Sequence, residues 1–163
     1  MIVIGITGQT GAGKSIASDV FKSRGIRIID ADKIAREVTS PGTEVYRNIK
    51  NLFGEEFFLE DGTLDRKKLG EIVFTNSDKL TLLNSITHPE ICSIIEKIIY
   101  EENQKGNSKA IVIDAPLLKQ VGLDKLCDIV IVITAKVENR LGRITKRDSI
   151  TSESAEKRIL KQE

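Results

Sequence analysis

A chain of 163 residues with 40% hydrophobic content can bury one sizeable core, so a single compact domain is expected rather than several independent ones. Lys and Arg total 25 against 24 Asp and Glu, so no global basic field marks a non-specific nucleic-acid binder, and any positive site must be local. The two cysteines, Cys92 and Cys127, have no C-x-x-C spacing, which argues against a zinc site or a disulfide framework and fits buried thiols in a reducing cytosol.

The chain opens on the apolar run Ile2 to Ile6, which reads as a buried strand. It is too short to span a membrane, has no basic flank and runs directly into the next motif, so it is not a signal peptide and a cytoplasmic location is expected. That motif, Gly8-Gln9-Thr10-Gly11-Ala12-Gly13-Lys14-Ser15, matches G-x-x-x-x-G-K-[ST], a phosphate cradle. A glycine-rich turn leaves backbone N–H groups free to point inward, and the following helix offers its positive end. Lys14 can then reach the β- and γ-phosphates of a nucleoside triphosphate, and the Ser15 hydroxyl can ligate Mg²⁺. The residues from Gly8 to Ile16 are the candidate nucleotide-binding stretch. Ile16 to Ser23 reads as the helix, closed by Gly25.

A second apolar run, Ile26 to Ile29, leads into Asp30-Ala31-Asp32. Phosphoryl transfer to a hydroxyl needs a group that orients the acceptor and takes its proton, and a carboxylate at a strand end suits that role. Carboxylates at strand ends also cap helices, so both roles stay open for each aspartate. From about 41 to 106 no convincing strand occurs. Apolar residues recur at helical spacing, as in Leu69, Ile72 and Val73, then Leu80, Leu83 and Ile86, then Ile91, Ile94, Ile95, Ile98 and Ile99. This is a helical insertion suited to a second substrate or to a purely structural layer. The lone histidine, His88, precedes Pro89 at an expected helix junction, where a structural role outweighs direct chemistry.

Ala110 to Ile113 and Ile129 to Ile133 complete the strand-like runs. Near-continuous Val and Ile mark strands covered on both faces, as in parallel sheets. The fold class is α/β: a three-layer α/β/α P-loop NTPase with a parallel sheet whose strands end at Gly8, Asp30, Asp114 and Thr134. One kinase-type domain is expected, with a core at about 1–40 and 107–135, the insertion at 41–106 and a lid at 136–163. Asp114 ends its hydrophobic strand in the Walker B manner, either touching Mg²⁺ through water or bonding the Lys14 and Ser15 region. Beyond Thr134, Lys136, Arg140, Arg143, Lys146 and Arg147 stand against Glu138 alone. Arg140, Arg143 and Arg147 share one helical face, with Leu141 and Ile144 on the other. They read as a solvated face or as arginines closing over a triphosphate. Thr145-Lys146-Arg147-Asp148 superficially fits a guanine-recognition signature, but it lies past the strand end in a helical segment. No D-x-x-G follows Asp114 either, which argues against a GTPase.

Together these stretches resemble the dephospho-coenzyme A kinase family. The matching residues are Ile4-Gly5-Ile6-Thr7-Gly8 through Gly13-Lys14-Ser15, Ile29-Asp30-Ala31-Asp32-Lys33-Ile34-Ala35-Arg36, Leu64-Asp65-Arg66 with Leu69 and Val73-Phe74, His88-Pro89, Pro116-Leu117-Leu118, and Arg143 with Arg147-Asp148. The resemblance implies transfer of the ATP γ-phosphate to the ribose 3′-hydroxyl of dephospho-CoA with Mg²⁺, the last step of coenzyme A biosynthesis. It implies Asp32 as catalytic base, Lys14 as phosphate ligand, Ser15 and Asp114 at the metal, and Arg143 and Arg147 in the lid. The insertion would bind CoA, with Asp65, Arg66, His88 and Pro116 near the acceptor. The partners implied are the two small-molecule substrates, with no nucleic acid or membrane, and a monomer is expected. Lys119-Gln120 and Arg140 depart from the family pattern, Arg140 standing where Gln is frequent. Family members continue beyond the position of Glu163 with a last strand, a helix and part of the adenine pocket, so a shortened C-terminus is expected. The rival readings are another small-molecule kinase of this class and an inactive ATP-binding fragment.

Overall fold

Computed as a structural model, the chain is described over residues 1–160. The N-terminal apolar run forms β1 (Ile2–Gly8), which carries two parallel ladders. It pairs with β3 (Ala110–Asp114) in the register Ile6↔Asp114 and with β4 (Ile129–Ile133) in the register Gly8↔Ile133. Strand β2 (Arg27–Asp30) completes a four-stranded sheet of order β2-β3-β1-β4. The strand and parallel-sheet expectations hold. Strand β3 is buried at Ile111, Val112 and Ile113, as a central parallel strand should be. The turn before β4 is pinned to β1 by the Asp128 carboxylate, which accepts from the Val3 N–H at 2.8 Å.

One strand departs from the expectation of cover on both faces. Ile129, Val130 and Val132 of β4 are exposed, because β4 is an edge strand and no described element packs over those side chains.

The chain divides into two compact units, Met1–Ile29 with Glu102–Glu163, and Asp30–Glu101. The first holds the sheet, α1 (Lys14–Ser23), α6 (Leu118–Val121), α7 (Val137–Asp148) and α8 (Ser152–Leu160). Helices α7 and α8 pack on each other through Ile144, Ala155 and Ile159. Against the sheet, Gly5 is a close-approach position. A Cβ there would lie 2.7 Å from the Cys127 Sγ and 2.8 Å from Leu118, so the thiol occupies the space a side chain would need. Burial, then the Asp124 and Asp128 carboxylates, push the Cys127 pKa up to about 11.

The second unit is helical: α2 (Ala31–Val38), α3 (Glu44–Phe53), α4 (Arg66–Val73) and most of α5 (Ser77–Lys105). Side-chain caps open the first three. Asp30 accepts from Lys33 N–H, Thr43 from Tyr46 N–H and Asp65 from Lys68 N–H. Each satisfies a donor that has no intrahelical partner. Val38, Val45, Ile49, Phe57, Leu69, Val73, Ile91 and Ile95 are buried, and Tyr46 stacks edge-on against Phe58 at 4.9 Å. The expected junction at His88-Pro89 is absent, since the 29-residue α5 continues through Pro89. Proline deletes one N–H bond, to the Ser85 carbonyl one turn back, but buried Ile91 and Ile95 fasten the following turn and outweigh that loss. Among the described residues no helix is long and apolar enough to cross a membrane.

Glu102, near the end of α5, ties three segments together. It accepts from Arg27 at 2.7 Å, from Lys105 at 3.1 Å and from the Ser108 hydroxyl at 2.5 Å. These bonds, that of Ser108 first, hold its pKa at about 2 against an ordinary 4.5. A depressed carboxylate adds stability above its ordinary pKa and loses it as pH falls through the folded value. Glu102→Gln should therefore melt below the wild type at pH 7, with the gap closing as pH drops from 4.5 toward about 2. A pH-independent gap in thermal melts would show that the carboxylate charge is not what holds these segments.

Candidate functional site

The loop between β1 and α1 turns on glycines. Gly11 and Gly13 have φ of 79° and 105°, the left-handed region that other residues enter at a cost of about 1–2 kcal/mol. The Ala12 N–H folds back onto the Gln9 carbonyl at 3.0 Å, closing the turn. Unlike α2, α3 and α4, helix α1 begins without any side-chain cap at Gly13. The Ile16 and Ala17 N–H groups bond the Gly13 carbonyl, so Ile16 is spent on the helix itself and its side chain is exposed. The N–H groups of Lys14 and Ser15 stand at the helix's positive end, where a phosphate is stabilised by both hydrogen bonds and the dipole.

Lys14 Nζ pairs with the Asp114 carboxylate at the end of β3. The second Asp114 oxygen accepts from the Ser18 hydroxyl at 2.6 Å. Ser18 is buried and lies one turn along α1 from Lys14. The bond to Lys14, one of the two roles open for Asp114, is present. Ser18 was not picked out from the sequence; its signal is the i+4 spacing from Lys14, which puts both on one face of α1. Pro116, just beyond β3, is tied in through its carbonyl, which accepts from Thr7 Oγ1 at 2.9 Å.

A metal would find two oxygen donors here, the exposed Ser15 hydroxyl and the Asp114 carboxylate. Mg²⁺ fits such a sparse set, since it keeps water and takes its remaining ligands from substrate phosphates. Among the described residues no cluster of three His, Cys, Asp or Glu forms an all-protein cage.

Behind the loop lies α7. Arg140 is 2% exposed and its Nε donates to the Thr10 carbonyl at 3.1 Å. Arg143 Nη1 donates to the carbonyls of Gly11 at 3.1 Å and Ala12 at 3.0 Å. This corrects the expected face assignment. Arg140 is not on a solvated face but shares the buried side of α7 with Ile144, where its Nε meets the Thr10 carbonyl. Arg147 is exposed and pairs with Asp148 at 2.7 Å. Thr145 to Asp148 lie within α7, away from any strand edge, which agrees with the case against guanine recognition.

In the helical unit, Asp30 and Asp32 separate by role. Asp30 is the α2 cap, whereas Asp32 is exposed in the first turn of the helix. Asp65 is likewise a cap, to α4. Arg66 Nη2 donates to Thr39 Oγ1 at 2.5 Å and to the Arg36 carbonyl at 3.2 Å. Burial, then the Arg36 charge, lower its pKa, so the two guanidinium groups face one another's field. Arg36 beside Arg66 is a pairing that motif reading did not reveal, since the two are thirty residues apart. His88 is half-buried in α5, and burial lowers its pKa below the ordinary 6.5.

A family model for dephospho-CoA kinase matches residues 2–163. The chain is 41% identical to the dephospho-CoA kinase of Bacillus licheniformis over 158 residues, 97% of this chain and 78% of that one. It is 40% identical to that of Fusobacterium nucleatum over 162 residues, covering 99% and 81% of the two chains. Among solved structures, the dephospho-CoA kinase from Campylobacter jejuni superposes with a TM-score of 0.67 at 31% identity, over 98% of this chain and 79% of that one. TT1252 from Thermus thermophilus superposes with a TM-score of 0.79 at 28% identity, over 96% and 78%.

A Cβ on Gly11 would sit 2.9 Å from the Arg140 carbonyl oxygen and 3.0 Å from Ile144, at a φ that is itself unfavourable. Gly11→Ala should destabilise the protein by at least about 1 kcal/mol. It should also weaken ATP binding, because loop and α7 would have to part. Melting temperature and ATP affinity both at wild-type values would show that the loop does not depend on that contact.

Proposed function

This chain belongs to the dephospho-CoA kinase family, and from that premise we propose how its residues carry the reaction. The protein is a kinase of the last step of coenzyme A biosynthesis, transferring the γ-phosphate of ATP to the 3′-hydroxyl of dephospho-CoA to give CoA and ADP. The observation that carries the reading is identity of 40–41% across nearly the whole chain, with the phosphate loop intact.

The backbone N–H groups of Gly11, Gly13, Lys14 and Ser15 and the ammonium of Lys14 bind the triphosphate. Lys14 transfers from Asp114 to the β- and γ-phosphates, which present more negative charge than one carboxylate. Ser15 and Asp114 would hold Mg²⁺, which when bound neutralises charge on the phosphate oxygens. Asp32 accepts the proton of the acceptor hydroxyl as its oxygen attacks phosphorus in line and ADP departs. Its assignment over Asp30 is supported by the start of α2, where Asp30 is spent on the helix cap. Arg147 is a lid cation for charge developing on the transferred group, and Arg143 would leave the Gly11 and Ala12 carbonyls to join it. The helical region is the CoA-binding part, with Arg36 and Arg66 a cationic pair for the diphosphate and Asp65, His88 and Pro116 supporting residues. His88, held neutral by burial, acts there as a hydrogen-bonding group rather than a cation. The cytoplasmic location and the monomeric state expected from the sequence are kept within this proposal.

ADP release from Mg-ATP should depend on dephospho-CoA, with a product heavier by one phosphate. Asp32→Asn should lower turnover by about 10²- to 10⁴-fold while ATP affinity stays near wild type. Retained turnover would remove Asp32 as the base. Arg66→Ala should raise the KM for dephospho-CoA without raising that for ATP. An effect confined to ATP would move Arg66 to the nucleotide side.

A further inference from the structure

We infer that Ser18 is a positioning residue for nucleotide binding, holding the Asp114 carboxylate in place when Lys14 leaves that carboxylate for the triphosphate. The inference rests on the loop being the ATP site. Lys14 and Ser18 stand one turn apart on one face of α1, and each meets a different oxygen of Asp114. Lys14 Nζ takes Oδ1, and the Ser18 hydroxyl donates to Oδ2 at 2.6 Å. A serine inside a helix can bond back to the carbonyl one turn earlier, here that of Lys14 at 3.2 Å. The hydroxyl has a single proton, and the shorter contact, to a charged acceptor, takes it. The buried Ser18 is thus committed to Asp114.

The two donors part company when ATP binds. Lys14 is partly exposed on a long, flexible stem and can move to the phosphates, whereas the Ser18 hydroxyl sits one atom beyond Cβ on a packed helix and stays where it is. An aspartate χ2 torsion is broad, so a carboxylate that has given up the lysine and has no second donor turns freely. Held at Oδ2 by Ser18, Asp114 keeps Oδ1 aimed at the place the lysine has left. The Ser18 bond also strengthens in the exchange, because the carboxylate charge is no longer shared with that ammonium. A contact that is stronger with nucleotide bound than without it favours binding, although Ser18 itself never touches the nucleotide.

The test is direct titration of Mg-ATP, without acceptor, into wild type, Ser18→Ala, Asp114→Asn and the double variant, with melting temperature followed alongside. Ser18→Ala should bind ATP about five- to tenfold more weakly, the effect of one net hydrogen bond. In the Asp114→Asn background, which has no carboxylate charge to hold, the same substitution should change ATP affinity by less than about twofold, so that the two effects are not additive. A purely structural role would lower the melting temperature of Ser18→Ala with ATP affinity intact, and that result overturns the inference. Equal losses of affinity in the two backgrounds overturn it as well, since Ser18 would then act without the carboxylate. If Ser18→Ala does not fold, Ser18→Cys, similar in size and a poorer donor, is compared in the same two backgrounds. A loss of about threefold or more that requires the Asp114 carboxylate upholds the inference, and the absence of such a difference overturns it. Wild-type protein that fails to bind ATP at all would instead overturn the nucleotide reading, and this inference with it.

Discussion

The ion pair between Lys14 and Asp114 is the contact on which the nucleotide end of this molecule depends. It exists because β1 and β3 are parallel neighbours in the register Ile6↔Asp114, which brings the last residue of one strand beside the loop leaving the other. Ser18, one turn further along α1, holds the second carboxylate oxygen and so fixes which oxygen meets the lysine. Both partners of the pair keep some solvent exposure, 21% and 15% for the side chains, so the pair is not locked in by desolvation. A charge held this loosely can be handed to a more negative ligand. Strand register, helix phase and the lysine's readiness for phosphate are therefore one arrangement.

The same economy governs the helix starts. At α2, α3 and α4 a side chain closes the helix N-terminus: Asp30, Thr43 and Asp65 do so in turn. Where it faces the phosphate loop, Gly13 stands at the cap with no side-chain bond. The loop's remaining polar groups, its carbonyls, are taken by Arg140 and Arg143 from the other side. Donors and acceptors of one short segment are thus sorted onto opposite faces, with protein satisfying one face and ligand the other.

Much of this was readable from the residues alone, for identifiable reasons. Val- and Ile-rich runs bounded by glycine and aspartate locate the strands, because few other structures bury such runs. The loop motif is legible because its spacing is dictated by the phosphates it surrounds. What escaped depends on distant partners. A run of arginines looks solvated until the carbonyls of Thr10, Gly11 and Ala12 are placed behind it, some hundred and thirty residues away in sequence. Pro89 looks like a break until the buried isoleucines beyond it are seen to hold the helix. β4 has the composition of a central strand, and only its place in the sheet order leaves its side chains open. Asp30 and Asp32 are indistinguishable by type, and separate only once one is seen to accept from Lys33.

The tight seat of Cys127 against Gly5 has a chemical corollary. With a pKa near 11, only about one molecule in ten thousand carries the thiolate at pH 7, and the thiolate is the form that attacks electrophiles or enters disulfide exchange. The residue is also only partly exposed, with its sulfur where a Cβ on Gly5 would fall. Alkylating reagents and mild oxidants should modify this residue slowly while the sheet is intact. Rapid appearance of a Cys127 adduct would then serve as a reporter of strand separation in the nucleotide core, with no need for an introduced label.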